Sequence, residues 1–267
     1  MSQNYLNLLI NELEDRWDEV TILLEEAEKN QNVNVKLHDA ICRSVSVLMV
    51  SNLEGFYKDL IKSFINDIND NNTFDQLPEV IKRSYCSNFL DPQSKSNAAN
   101  QITKKLINEF ERLNANIDYK PFLFDKNKNP NPKTIEIIFN NLGLKKVFKN
   151  LESSRYEIIF SEENSYLERE IPKYIGELNT FTQSFPYEWA GSCFKLQPMN
   201  QNNNKTLWEE FLDEVNRRRH EIAHGNDSSN IDSVQTLKKT KNKLFCLQIA
   251  LIHILIEKFG YEKINNY

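Results

Sequence analysis

The chain has 267 residues, 40% of them hydrophobic and 27% charged, with a formal net charge of −5. That is enough for one sizeable core, or for one domain with a large insertion. Six glycines and eight prolines are too few for a sandwich or barrel, which needs turn residues about every 8–12 positions. The acidic balance excludes a protein that coats nucleic acid through bulk charge, but not a local basic site.

Residues 4–30 carry Leu6, Leu9, Ile10, Leu13, Trp17, Val20, Leu24 and Ala27 at helical spacing, with acids opposite. A turn is predicted over Asn30–Asn34, then a long helix from about Val35 to Asn69. Its apolar stripe is broad enough for burial on two sides, so the two helices make an antiparallel hairpin. The middle, about 71–202, has a different texture, and all eight prolines fall within it, from Pro78 to Pro198. Helices are predicted at 97–115 and 133–149, a loop at Asn127–Pro132, and short strands at Tyr119–Phe124 or Arg155–Phe160. The region reads as an insertion, with a small second domain as the alternative. Polar Asn202–Thr206 then leads into a helix from about Leu207 to His224, with Gly225 where a C-cap falls. After a polar turn at Asn226–Asn230, a final helix runs from about Ile231 to Phe259, closed by Gly260. The expected class is therefore all-α. Core hairpins at about 4–70 and 203–261 form one helical bundle, and residues 1–267 form a single domain.

Cys42, Cys86, Cys193 and Cys246 are scattered, and no pair has metal-ligand spacing. They read as reduced, mostly buried thiols. The N-terminus is acidic and amphipathic, without the basic start of a secretory signal. The longest apolar run, Leu244–Ile256, is interrupted by Gln248 and His253 and is too short to span a bilayer. These features predict a soluble, cytoplasmic protein without a membrane partner.

The most informative stretch is Arg217-Arg218-Arg219-His220-Glu221-Ile222-Ala223-His224-Gly225, with two of the four histidines. It satisfies two templates. In the first, His220-Glu221-x-x-His224 is a zinc-hydrolase motif: i, i+4 histidines stand about 40° apart on one helix face, with Glu221 as general base. The third ligand is missing, because Asp227 and Asn230 stand where the extended motif needs other residues. Asp227 and Asp232 are too close in sequence, and Glu257 lies near the far end of the last helix. The Arg219 charge would also oppose a dication.

In the second template, Arg219 and His224 have four residues between them, and polar His220 directly follows the arginine. Here the chain resembles the HEPN superfamily of ribonucleases, specifically the bacterial MAE-type and RiboL-PSP-type members. The shared features are an early helix like Leu53-Glu54-Gly55-Phe56-Tyr57-Lys58-Asp59-Leu60 and a late helix ending in Ala-His-Gly. The resemblance covers roughly the first 70 and last 65 residues and fits the two-hairpin bundle. It implies metal-independent RNA cleavage without a cofactor, typically by a toxin or phage-defence effector. His224 would serve as general acid or base, because imidazole titrates near neutral pH. Arg219 would stabilise the phosphorane, and His220 would orient or donate. Arg217 and Arg218 would contact substrate phosphates.

Arg219 and His224 stand about 140° apart on an ideal helix, whereas Arg217 is only about 20° from alignment with His224. The resemblance favours Arg219; geometry alone favours Arg217. With one motif per chain, the resemblance implies a homodimer that brings two motifs to one cleft, and allows for an antitoxin or regulatory partner. Two other readings stay open. One is a non-catalytic HEPN-like module that binds RNA or protein. The other is an ordinary arginine-rich helix end, stabilised by the macrodipole. Lys238, Lys239, Lys241 and Lys243 read as a solvated face, Glu54 as an exposed acid, and His253 as a core or interface histidine. His38 has no evident partner. Tyr187, Trp189 and Phe194 are expected to pack under the insertion, or else to stack on bases.

Overall fold

Apolar residues at helical spacing dictate the first layer, but not as one helix. In a computed structural model, which describes residues 4–90, 97–123, 130–152, 154–194, 204–225 and 231–263, the first segment divides into α1 (Tyr5–Asn11) and α2 (Asp15–Asn30). At the joint, Leu13 N bonds Ile10 O and Trp17 N bonds Glu14 O, the tighter 3-10 pattern. Leu13 and Trp17 both stay buried across it. The hairpin partner is α3 (Val35–Asn71), which begins where the Asn34 side chain accepts from Leu37 N. Its 37 residues make a spine roughly 55 Å long. Cys42, Leu53, Phe56, Tyr57 and Phe64 are buried along it, as the broad stripe required. His38, which had no evident partner in the sequence, places Nδ1 2.9 Å from the Ala27 carbonyl.

The middle is more helical than its prolines suggest. It comprises α4 (Glu79–Ser87), α5 (Asn97–Leu113), α6 (Pro132–Asn141), α7 (Val147–Glu152) and α8 (Asn164–Phe181). The predicted 133–149 helix splits at Gly143, which adopts φ 84°. A side chain there would also strike Val80, since a Cβ would stand 2.7 Å from Val80 Cγ1. Neither predicted strand forms: Lys120–Phe122 and Arg155–Phe160 are 3-10 turns. Their apolar residues are too closely spaced to mark a pleat; Tyr156 and Ile159 turn inward at i, i+3 instead. Pro172 sits inside α8 on an exposed position, where the ring faces solvent. Part of the predicted Asn127–Pro132 loop, residues 202–203 and the 226–230 turn lie outside the described residues.

The last hairpin is α9 (Leu207–Ala223) and α10 (Val234–Phe259). Beyond it, β1 (Glu188–Trp189) pairs in parallel with β2 (Tyr261–Glu262). Gly260 makes this approach possible, because a Cβ there would lie 2.4 Å from the Tyr187 carbonyl oxygen. Packing, not display, is the use of the aromatic stretch before and after β1: Tyr187 is fully buried and Phe194 nearly so. Buried side chains of the middle segment and of both terminal hairpins form one contiguous core, with α8 against α10 and α1 and with α6 and α7 against α9. Among the described residues, no helix is long and apolar enough to cross a membrane. All four cysteines are free thiols, and three are buried.

Candidate active site

The helix that carries the motif is anchored at its start and released at its end. Thr206 caps it: Thr206 Oγ1 accepts from Glu209 N at 3.2 Å, and Glu209 Oε2 accepts from Thr206 N at 2.8 Å. At the second position of α9, Trp208 is fully buried edge-on against Phe160, with ring centroids 5.0 Å apart. Leu212 and Val215 continue the buried side. After Asn216, which donates to the Pro130 carbonyl at 3.2 Å, the sequence turns polar and the helix emerges from the core. His224 is the C-cap, its N–H bonded to His220 O at 3.1 Å, and Gly225 follows at φ 71°.

This exit sets where each motif side chain stands. Relative to buried Trp208, Arg219 lies about 20° round the helix, whereas His220, His224 and Arg217 lie about 120–180° round, on the outer side. The structure brings His220 and His224 together as an exposed pair, ring centroids 4.2 Å apart and planes tilted by 52°. Arg217 shares that outer side but is tied down. It donates to Glu214 at 2.9 Å through Nε and forms a close ion pair with Glu221. These carboxylates raise the Arg217 pKa, and the hydrogen bond from Arg217 holds the Glu214 carboxyl below its ordinary value. Arg218 is half-buried and donates to Asp232 at 3.0 Å. Arg219 is half-buried, and among the described residues no carboxylate pairs with it. The helix runs unbroken through Ala223, so Arg219 and His224 do not converge within one chain by a change of helix direction.

Beside Arg218 a groove of about 250 Å³ opens between α3, α9 and α10, lined in part by Ser46, Met49, Lys239 and Lys243. The lysines are not simply a solvated face. Lys238 pairs with Glu28 at 2.8 Å, Lys241 donates to Thr21 at 3.1 Å, and Lys243 lies over the Phe160 and Phe211 rings. These partners come from distant positions in the chain, which is why spacing alone did not reveal them. Glu54 is exposed.

The zinc-hydrolase template fares poorly in this setting. Glu221, its general base, is engaged by Arg217 and approached by Arg218 at 3.9 Å. Asp232, one carboxylate considered as third ligand, is held by Arg218, and Asp227 lies outside the described residues. Among the described residues, the group of three metal-ligating side chains that does converge contains neither His220 nor His224.

The chain is thus an all-α bundle whose helix α9 ends in an arginine–histidine run with both histidines exposed. The family model for RiboL-PSP-HEPN matches residues 11–259, and the chain belongs to that family. The match runs through the middle segment, where the sequence offered no resemblance. No curated protein and no solved structure matches the chain. Membership places the chain in a class associated with RNA binding and RNA cleavage.

Proposed function

We propose that the protein is a metal-independent endoribonuclease, acting as a toxin or phage-defence effector. The observation that carries this reading is the exposed His220–His224 pair at the end of α9, one residue from an arginine without a carboxylate partner among the described residues. A 2′-hydroxyl must lose a proton and attack the adjacent phosphorus, and the leaving 5′-oxygen must gain one. His224 performs one proton transfer. Arg219 neutralises the charge that builds on the phosphorane oxygens, which a planar guanidinium fits with two parallel hydrogen bonds. His220, in contact with His224, orients it or donates a proton. Arg217 and Arg218 contact flanking phosphates; Arg218 stands at the mouth of the groove that Lys239 and Lys243 also line.

Because Arg219 and His224 diverge by about 140° on an unbroken helix, the proposal includes a two-fold homodimer. In it, the arginine of one chain reaches the imidazole of the other. The protein would act in the cytoplasm, restrained by an antitoxin or regulatory partner.

The test uses an oligoribonucleotide cleaved by the protein and the same oligomer with a single 2′-deoxy residue at the mapped site. The intact oligomer should yield 2′,3′-cyclic phosphate ends, and the deoxy version should survive. Cleavage of both at equal rates would remove the mechanism. A non-catalytic RNA-binding module is the second reading, favoured by the ion pairs that already occupy Arg217 and Arg218. It predicts salt-sensitive binding without turnover.

A further inference from the structure

Three metal-ligating side chains converge on α10 and the segment that follows β1. The Cys193 sulfur, a His253 ring nitrogen and a Glu257 carboxylate oxygen all lie within 4.8 Å of one another. His253 and Glu257 are i, i+4 on α10 and so project from one side of it. Cys193 is brought to them by its own backbone N–H, which donates to Glu257 Oε1 at 2.6 Å. Ser192 Oγ donates to the other carboxylate oxygen at 2.8 Å.

His253 supplies a second, independent observation. It is fully buried, with Nδ1 2.7 Å from Tyr156 Oη. Its Nε2 has no hydrogen-bond partner and stands 3.4 Å from Glu257 Oε1. The rings of Tyr156, Phe181 and Phe194 surround the imidazole, so water has little access to that nitrogen. An unpaired polar atom in such a place is costly and calls for an explanation.

We propose that Cys193, His253 and Glu257 bind one divalent ion of the zinc class. Sulfur, imidazole nitrogen and carboxylate oxygen are zinc's donor set, and the mixed set disfavours magnesium or calcium. Coordination through Nε2 puts the ring proton on Nδ1, where it donates to Tyr156 Oη. That outer hydrogen bond fixes ring orientation at metal-binding histidines generally. Binding releases the Cys193 thiol proton to solvent, and thiolate plus carboxylate balance the dication. The nearby Arg155 charge is matched by its ion pair with Glu177. The three protein ligands leave one tetrahedral position for water or the Ser192 hydroxyl. The ion fastens the segment after β1 to α10, beside the point where β1 meets β2. This site is structural, and its existence does not depend on the RNA-cleavage reading.

The test uses the full-length protein, purified with a phosphine reductant and titrated with zinc or cobalt. About one ion per chain should bind, and the cobalt form should show thiolate-to-cobalt charge-transfer absorption. Cys193→Ser should abolish that absorption and weaken binding at least tenfold, while His220→Ala and His224→Ala retain both. EDTA should lower the melting midpoint of the parent but not of Cys193→Ser. Should His253→Gln fail to fold, Cys193→Ser still decides, since its side chain is half-buried at the edge of the core. A parent that takes up neither ion, a Cys193→Ser variant with undiminished affinity, or an ion lost with His220→Ala instead would overturn the proposal.

Discussion

At the scale of single residues, the three arginines are distinguished by their partners. Arg217 lies between Glu214 and Glu221, and Arg218 is held by Asp232. Their charges are already balanced, whereas among the described residues no carboxylate pairs with Arg219, which the proposed mechanism sets against the phosphorane. Arg219→Lys should therefore slow RNA cleavage by roughly a hundredfold or more, because a lysine cannot supply the two parallel hydrogen bonds. Arg217→Gln should change the rate only a few-fold and leave the urea midpoint unmoved, since exposed ion pairs contribute little to stability. The reverse ranking in single-turnover rates would move the catalytic role to Arg217. Sequence alone left this choice open, because the motif match favoured Arg219 and helix geometry favoured Arg217; the ion pairs of Arg217 with Glu214 and Glu221 support the first reading.

At the scale of elements, the motif depends on how α9 is capped and how the hairpins are tied together. Thr206→Ala removes one half of the capping box and should cost about 1 kcal/mol in urea denaturation. A second tie is Asp67 on α3, whose carboxylate accepts from Tyr5 N at 2.7 Å, Leu6 N at 3.0 Å and Tyr187 Oη at 2.8 Å. It thereby joins the start of α1 to the segment before β1. Asp67→Ala leaves three donors unpaired and should destabilise by roughly 2–4 kcal/mol. Burial raises the Asp67 pKa, against the opposing pull of these hydrogen bonds. A carboxyl raised on folding costs stability when ionised, and the cost is relieved as pH falls through its folded pKa. The stability of wild type relative to Asp67→Asn should therefore improve as pH falls through the folded pKa toward the ordinary carboxylate value, and should stay level above it. A gap that widens against wild type on acidification would contradict this sign. The long helices α3, α9 and α10 were legible from apolar spacing and capping residues. The Gly143 break, helical α8 with Pro172 inside it, and the two 3-10 turns were not, because tertiary packing there overrides local preference.

At the scale of the whole molecule, one core runs from the first hairpin through the middle to the last. Trp208 sits where the middle meets α9, and Trp17 donates to Gln248 at 2.9 Å between the first and last hairpins. Trp208→Ala should cost about 3–5 kcal/mol and, by loosening α9, reduce RNA cleavage with it. The sequence disclosed the two hairpins and the motif that places the chain among HEPN proteins. It did not disclose that the middle is part of the same core, because the contacts that tie α8 to α10 and α1, and α6 and α7 to α9, join residues far apart in sequence. The Cys193–His253–Glu257 group was hidden for the same reason: Cys193 and His253 are far apart in sequence and meet only in the folded chain.

The central claim is that an arginine and an imidazole at the end of α9 break RNA without a metal ion. It is tested most directly by the rate at which 2′,3′-cyclic phosphate ends appear in total cellular RNA, in excess EDTA, with wild type and with His224→Ala. The account predicts steady cleavage by wild type and a loss of roughly a hundredfold or more in the variant. Equal rates from both proteins, or cleavage by the Cys193→Ser protein that appears only when a divalent ion is restored, would contradict it.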